Sequence, residues 1–239
     1  LHWGLHPWAV YSIFGASLAY GHFRLKLPLA PRSILYPIFG ERIRGWIGHM
    51  IDIMCTVGTL FGVSTSLGLG AMQINAGVSQ LWDIPHGTLT QIIIIACVTF
   101  VATLSVVSGI HNGIQRLSQT NIILAFFLML FVFLFGPTLF QTKIFVSTFG
   151  DYLQNIVDLS FWVDYRKGES WQEDWTLFYW SWWISWSPFV GVFVARISRG
   201  RTLREFLVSV LFVPTIVTFV WLSVFGGTGI YFEHFEGIE

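Results

Sequence analysis

The sequence predicts an all-α polytopic membrane protein with about six transmembrane helices. Three observations carry that reading. The 239 residues are 54% hydrophobic and 11% charged, whereas soluble domains carry about 25% charged residues. The mean hydropathy is +0.65. Six stretches are each long enough to cross a hydrocarbon core about 30 Å thick, which takes about 20 apolar residues in a helix. The basic residues gather on alternate connections between those stretches. The same composition excludes disorder, because disordered chains are poor in apolar residues and rich in charge. A net charge of zero, from 13 basic and 13 acidic residues, gives no footing for nucleic-acid binding. Cys55 and Cys97 both lie inside apolar runs and signal no disulfide framework.

The six spans cover residues 1–23, 46–72, 88–110, 119–141, 175–197 and 203–226. Pro28, Pro31 and Pro37 punctuate the first connection, Pro85 the second, and His111-Asn112-Gly113 the third. The fourth connection, 142–174, is the longest. In it Ile144, Phe145, Phe149, Tyr152, Leu153 and Ile156 recur at helical spacing among polar residues, the pattern of an amphipathic helix lying at a membrane surface. Leu1 is not an initiator methionine, and the chain stops at Ile238-Glu239 without a terminating feature. We therefore expect an internal segment of a longer chain.

Charge tests this topology independently. Connection 24–44 holds Arg24, Lys26, Arg32, Arg42 and Arg44, turn 111–118 holds Arg116, and turn 196–205 holds Arg196, Arg199, Arg201 and Arg204. Those are ten of the 13 basic residues, and all fall on one side, which the positive-inside rule assigns to the cytoplasm of a cell (inner) membrane. The other side carries Asp83, Asp151, Asp158, Asp164, Glu169, Glu173, Asp174, Glu233, Glu236 and Glu239, against Lys143, Arg166 and Lys167. Asp52 is the charge left within a span, near its inner end, so there is no buried charge relay of the kind a proton pump or voltage sensor needs. In span 46–72, Gly58, Gly62, Ser66 and Gly70 are four residues apart and place small residues on one face for close helix packing. Gly68 and Gly70 are expected to loosen its outer end.

The 12 tryptophans are unevenly placed. Trp46, Trp82, Trp162 and Trp171 fit interfacial belts. Two clusters do not. Trp3, Trp8 and Tyr11 in "HWGLHPWAVY" share one broad face, since about 100° per residue sets Trp3 and Trp8 about 140° apart with Tyr11 between them. Trp180, Trp182, Trp183 and Trp186 in "YWSWWISWSPF" form the second cluster, continued inward by Phe189 and Phe193. Tyr11 and Trp186 lie near the middle of their spans, and Thr59 at the centre of 46–72. Rings and a hydroxyl thus meet near the bilayer midplane.

Such a site suits a quaternary ammonium, which has charge but no N–H to give a carboxylate. Ring faces meet it with about 0.5–2 kcal/mol each, so three or four rings contribute about 2–8 kcal/mol. A micromolar affinity needs about 8 kcal/mol, which calls for an added anion-binding group. Pro188 leaves the Ile184 carbonyl without its helical partner and predicts a kink beside this site. Other classes fit less well. A metalloenzyme would use His2 and His6, four residues apart, but no third ligand is evident, because His111 and His234 lie on opposite sides. A channel or cation sensor using the same cage lacks a pore lined with charged or carbonyl rings.

The stretches "HWGLHPWAVY", "GLGAMQINAG" (68–77) and above all "YWSWWISWSPFVGVFVARISRGRTLREF" (179–206) resemble the betaine–choline–carnitine transporter family, and the resemblance runs along the whole chain. It implies a LeuT-like inverted-repeat fold of twelve helices, of which this chain would supply the fourth to ninth. Residues 1–141 would belong to the first repeat, 142–174 to an interfacial helix and extracellular loop, and 175–239 to the start of the second repeat. The implied function is secondary active transport of glycine betaine, choline or carnitine by alternating access, with no chemical step, in a homotrimer. The family's box falls on Trp3, Trp8, Tyr11 and Trp183, with Trp182, Trp186, Phe189 and Phe193 lining the path. The resemblance also implies coupling to sodium, with proton coupling or substrate exchange as the family's alternatives, and its sodium-coupled members use two hydroxyls one turn apart. Thr59 matches the first position, and the second is Val63, which has no oxygen.

Overall fold

The computed structural model describes residues 2–82, 84–109, 113–165 and 170–237. Expectations resting on Leu1, Asp83, His111, Asn112, Arg166, Lys167, Glu169, Ile238 and Glu239 lie outside the described residues. Within them all regular structure is helical. The main helices are α1 (Leu5–Phe23), α2 (Tyr36–Phe39), α3 (Trp46–Trp82), α4 (Thr88–Val107), α5 (Gln115–Phe135), α6 (Thr138–Phe161), α7 (Phe178–Ile197) and α8 (Leu203–Tyr231). A widened π turn, Gln172–Leu177, leads into α7, and another, Phe232–Glu236, extends α8.

Among the described residues four helices are long and apolar enough to cross a membrane: Trp46–Trp82, Thr88–Val107, Gln115–Phe135 and Leu203–Phe235. The chain is an integral membrane protein. The other two expected spans form α1 and α7 in the expected places, but His, Pro, Ser, Gly and Trp dilute their apolar character. At 37 residues, α3 runs about 55 Å at 1.5 Å per residue, beyond the expected end at 72, and Gly68 and Gly70 do not interrupt it. The expected span 119–141 is divided. Pro137 cannot continue a helix and disfavours helical backbone in the residue before it, so α5 ends at Phe135 and α6 starts at Thr138. The Thr138 hydroxyl donates to the Phe133 carbonyl at 2.6 Å and closes the break.

The chain forms two compact units, residues 1–62 with 139–239, and residues 63–138. In the first, α1 packs on α7 and α8. Glycines set the α1–α7 crossing. A Cβ on Gly15 would sit 2.5 Å from Val194 Cγ2, and one on Gly191 would run into the Phe14 ring, so the backbones approach as closely as small residues allow. Of the glycines in the predicted stripe, Gly62 meets a neighbour, with Trp186 Cδ1 at 2.9 Å from an added Cβ, while Gly58 and Gly70 face open space.

Pro188 is accommodated inside α7. The Ile184 carbonyl that it deprives of a helical donor accepts the buried Ser187 hydroxyl at 2.8 Å, so a neighbouring side chain makes good the lost bond. The α7–α8 turn uses Gly200 at φ +83°, followed by a capping box. There the Thr202 side chain accepts from Glu205 N–H and the Glu205 carboxylate accepts from Thr202 N–H. At the other loop the charge within α3 is neutralised. Arg32 grips Asp52 with its backbone N–H, 2.9 Å to Oδ1, and its Nε, 2.6 Å to Oδ2, as a carboxylate near lipid requires.

The second unit holds the later part of α3 with α4 and α5. No residue of α4 or α5 is buried within it, and most of α4 together with α5 from Ile122 onward is apolar on every side, the surface a helix presents to lipid or to further helices. Asn75 is buried and donates to the Gly87 carbonyl at 3.4 Å.

Candidate functional site

The two aromatic clusters meet in the first unit. The segment before α1 carries Trp3, and the N-terminal half of α7 carries Trp182 and Trp183. The indole of Trp3 stands nearly perpendicular to Trp183, with centroids 4.8 Å apart at 84°, and to Trp182, at 6.1 Å and 88°. Trp182 and Trp183 stack at 5.1 Å and 4°. Tyr11, buried in the core, meets Trp183 edge-on at 6.2 Å and 89°, and Trp8 meets Tyr11 at 5.4 Å and 76°. The four residues of the expected box thus form one continuous chain of edge-to-face contacts, the favoured geometry of aromatic pairs.

The remaining path residues are divided between two settings. Trp186 meets Phe189 at 5.4 Å and 77° and lies over Gly62 of α3, one turn further along α7 than the box. Phe189 and Phe193 are exposed, at 56% and 57%. Trp8 also borders an open groove of about 1010 Å³ between α7 and α8, whose walls include Val194, Phe206, Val213 and Pro214.

The box rings touch one another. A cation binds within about 6 Å of a ring centroid, so two faces flanking one cation can stand up to about 12 Å apart. At 4.8–6.2 Å the Trp3, Trp183 and Tyr11 rings pack edge to face directly against one another. Trp3, 40% exposed, is the one with room to move.

The sequence patterns missed several residues that build this site. Tyr179 stacks on Trp182 at 5.9 Å, on Trp183 at 6.0 Å and on the His2 ring at 5.2 Å, and it meets Trp3 edge-on at 5.7 Å. Its spacing of three and four from the two tryptophans is the signal that marks it. The Trp183 indole Nε1–H donates to the His2 carbonyl at 2.9 Å, tying the two clusters together by a polar bond. Tyr152 of α6 accepts the Leu5 backbone N–H at 3.0 Å. Burial pushes the Tyr152 phenol above its ordinary range, outweighing the opposite pull of the Leu5 N–H.

His2 and His6 do not converge. His2 Nε2 pairs with the Thr176 hydroxyl at 3.1 Å and His6 Nε2 with the Ser160 hydroxyl at 2.8 Å. Among the described residues no group of three or more His, Cys, Asp or Glu side chains is arranged to hold a metal. The Thr59 hydroxyl donates to the Cys55 carbonyl at 2.8 Å, which leaves its oxygen lone pairs available. Val63 contributes no oxygen, so these two positions together supply one side-chain ligand and do not by themselves make a sodium site.

Fold and site define a class: a helical integral membrane protein in which two helices share a tryptophan-rich cluster. The chain belongs to the betaine/carnitine/choline transporter (BCCT) family, whose pattern it matches over residues 1–239. It is 50% identical over 227 residues to a glycine betaine/proline/choline/ectoine transporter of Vibrio parahaemolyticus, covering 95% of this chain and 40% of that protein. It is also 50% identical over 228 residues to the glycine betaine transporter OpuD of Bacillus subtilis, covering 94% and 44%. With the high-affinity choline transport protein of Escherichia coli it shares 46% identity over 233 residues, covering 96% and 34%. The chain therefore spans less than half the length of these relatives.

Proposed function

We propose that this chain forms the substrate-binding part of a secondary active transporter that moves a quaternary ammonium compound, glycine betaine or choline, by alternating access. The observation that carries the reading is the perpendicular contact of Trp3 with Trp182 and Trp183, extended through Tyr11 to Trp8. Perpendicular rings present a face and an edge to one small volume, and their parted faces would offer negative quadrupole to a cation without N–H donors. Trp186, Phe189 and Phe193 would line the path on the inner side of the box. The Pro188 position in α7, closed by the Ser187 hydroxyl, supports a helix that bends beside the site.

In this reading α1 and α7 cross the membrane along with the four more apolar helices, as corresponding parts of two LeuT-like inverted repeats, and α6 lies at the interface between them. Loops 24–44, 111–118 and 196–205 face the cytoplasm across a cell (inner) membrane. The protein works as a homotrimer and is coupled to an ion. Were that ion sodium at Thr59, Val63 would leave its remaining ligands to other residues. The experiment is uptake of radiolabelled glycine betaine and choline by proteoliposomes holding the complete protein, with and without a sodium gradient. Saturable accumulation that Trp183→Leu abolishes supports the proposal, and accumulation indifferent to Trp183→Leu refutes the box.

A further inference from the structure

The helix that carries half of the box has no cap of its own. Gly4 precedes α1 and offers no side chain, and no side-chain cap bond forms within the segment. The first N–H groups of a helix need partners from outside it, and here one comes from 147 residues away. Tyr152 of α6 places its hydroxyl 3.0 Å from the Leu5 nitrogen. Gly4 is what lets it approach: a Cβ there would stand 2.6 Å from Tyr152 Oη and 3.0 Å from Cζ. The Tyr152 ring is itself held edge-on by Phe219 of α8 at 4.9 Å. Two turns along α6, Ser160 makes a second bond to this segment through His6, at 2.8 Å. From the opposite side Trp183 holds the His2 carbonyl at 2.9 Å. Trp3 lies between these grips.

We propose that Tyr152 is a positioning residue for the aromatic box: its hydroxyl fixes the start of α1, and with it the angle at which Trp3 meets Trp183. The α6 helix is therefore more than a connection between two halves of the chain. Through one side chain it sets the geometry of a site that it does not line, so displacement of α6 changes substrate affinity. This inference rests on the proposed binding role of the box.

The test is uptake kinetics of radiolabelled glycine betaine by the complete protein in proteoliposomes. Tyr152→Phe keeps the ring against Phe219 and removes only the hydroxyl. It should raise KM about 3- to 10-fold, the worth of one hydrogen bond, while the maximal rate holds. Gly4→Ala should produce the same split with Tyr152 intact, by pushing the ring away. Combined with Trp3→Phe, Tyr152→Phe should add less than its separate effect, because both act through one ring. A Tyr152→Phe protein with unchanged KM, in a background where Trp183→Leu abolishes uptake, overturns the positioning role and leaves the box standing. Uptake indifferent to Trp183→Leu overturns both. A fall in maximal rate alone, or full additivity with Trp3→Phe, also overturns the positioning role.

Discussion

Trp183 is held in the aromatic cluster by contacts of two kinds. Its faces and edges meet Trp182, Tyr179, Trp3 and Tyr11, while its Nε1–H holds the His2 carbonyl. Substitutions separate the two. Trp183→Phe keeps a ring and loses the N–H, so KM for betaine should rise about 5- to 10-fold through the freed His2 segment, the effect of one hydrogen bond. Uptake kinetics in proteoliposomes check this against Trp183→Leu, which should leave no saturable component. At this scale the sequence was informative where spacing carries the signal. Trp3, Trp8, Tyr11 and Trp183 drew notice because they belong to two aromatic clusters that reach mid-span at Tyr11 and Trp186, which a belt pattern does not explain. The orphaned Ile184 carbonyl was legible from Pro188. That Ser187 would turn to fill it is a rotamer choice, and that Tyr152 would reach Leu5 is a tertiary contact. Neither leaves a local pattern.

Between elements, the crossing of α1 and α7 decides whether the box can assemble. Gly15 and Gly191 allow it, with Phe14 and Val194 packed where a larger residue's side chain would start. Gly191→Val should force the helices apart, at a cost of about 1–3 kcal/mol typical of overpacking, and should lower thermal stability in detergent. A Gly191→Val protein that melts with the parent would contradict the assigned crossing. The repeating Gly58, Gly62, Ser66, Gly70 pattern drew attention to α3 because a stripe shows itself in sequence. In the structure only Gly62 of its glycines meets a neighbour closely, and the α1–α7 crossing uses two isolated glycines instead. Single small residues become meaningful only once the partner helix is known. Helix ends were read less well: the expected span 119–141 ran through Pro137, where α5 gives way to α6, and nothing local foretells that α3 continues to Trp82.

For the molecule as a whole, the sorting of charge supports the proposed orientation. With Cys55 and Cys97 replaced by serine, a cysteine at Asp158 should react with a membrane-impermeant maleimide in intact cells, and one at Arg42 only after permeabilisation. The reverse pattern would invert the topology. Two apolar helices without buried residues, α4 and α5, and a family whose curated relatives are more than twice as long, describe a chain whose outer faces meet lipid or further helices. The aromatic site, by contrast, is built from α1, α6, α7 and α8 within one compact unit. The central claim is that ring faces recognise positive charge on a methylated group. Its most direct test is competition for uptake between a trimethylammonium substrate and its neutral tert-butyl isostere, which has the same shape without the charge. The account predicts that the cation binds at least about tenfold more tightly, since three or more ring contacts exceed the 1.4 kcal/mol that a factor of ten requires, and that Trp183→Leu erases the difference. Equal affinity for the two compounds would contradict it.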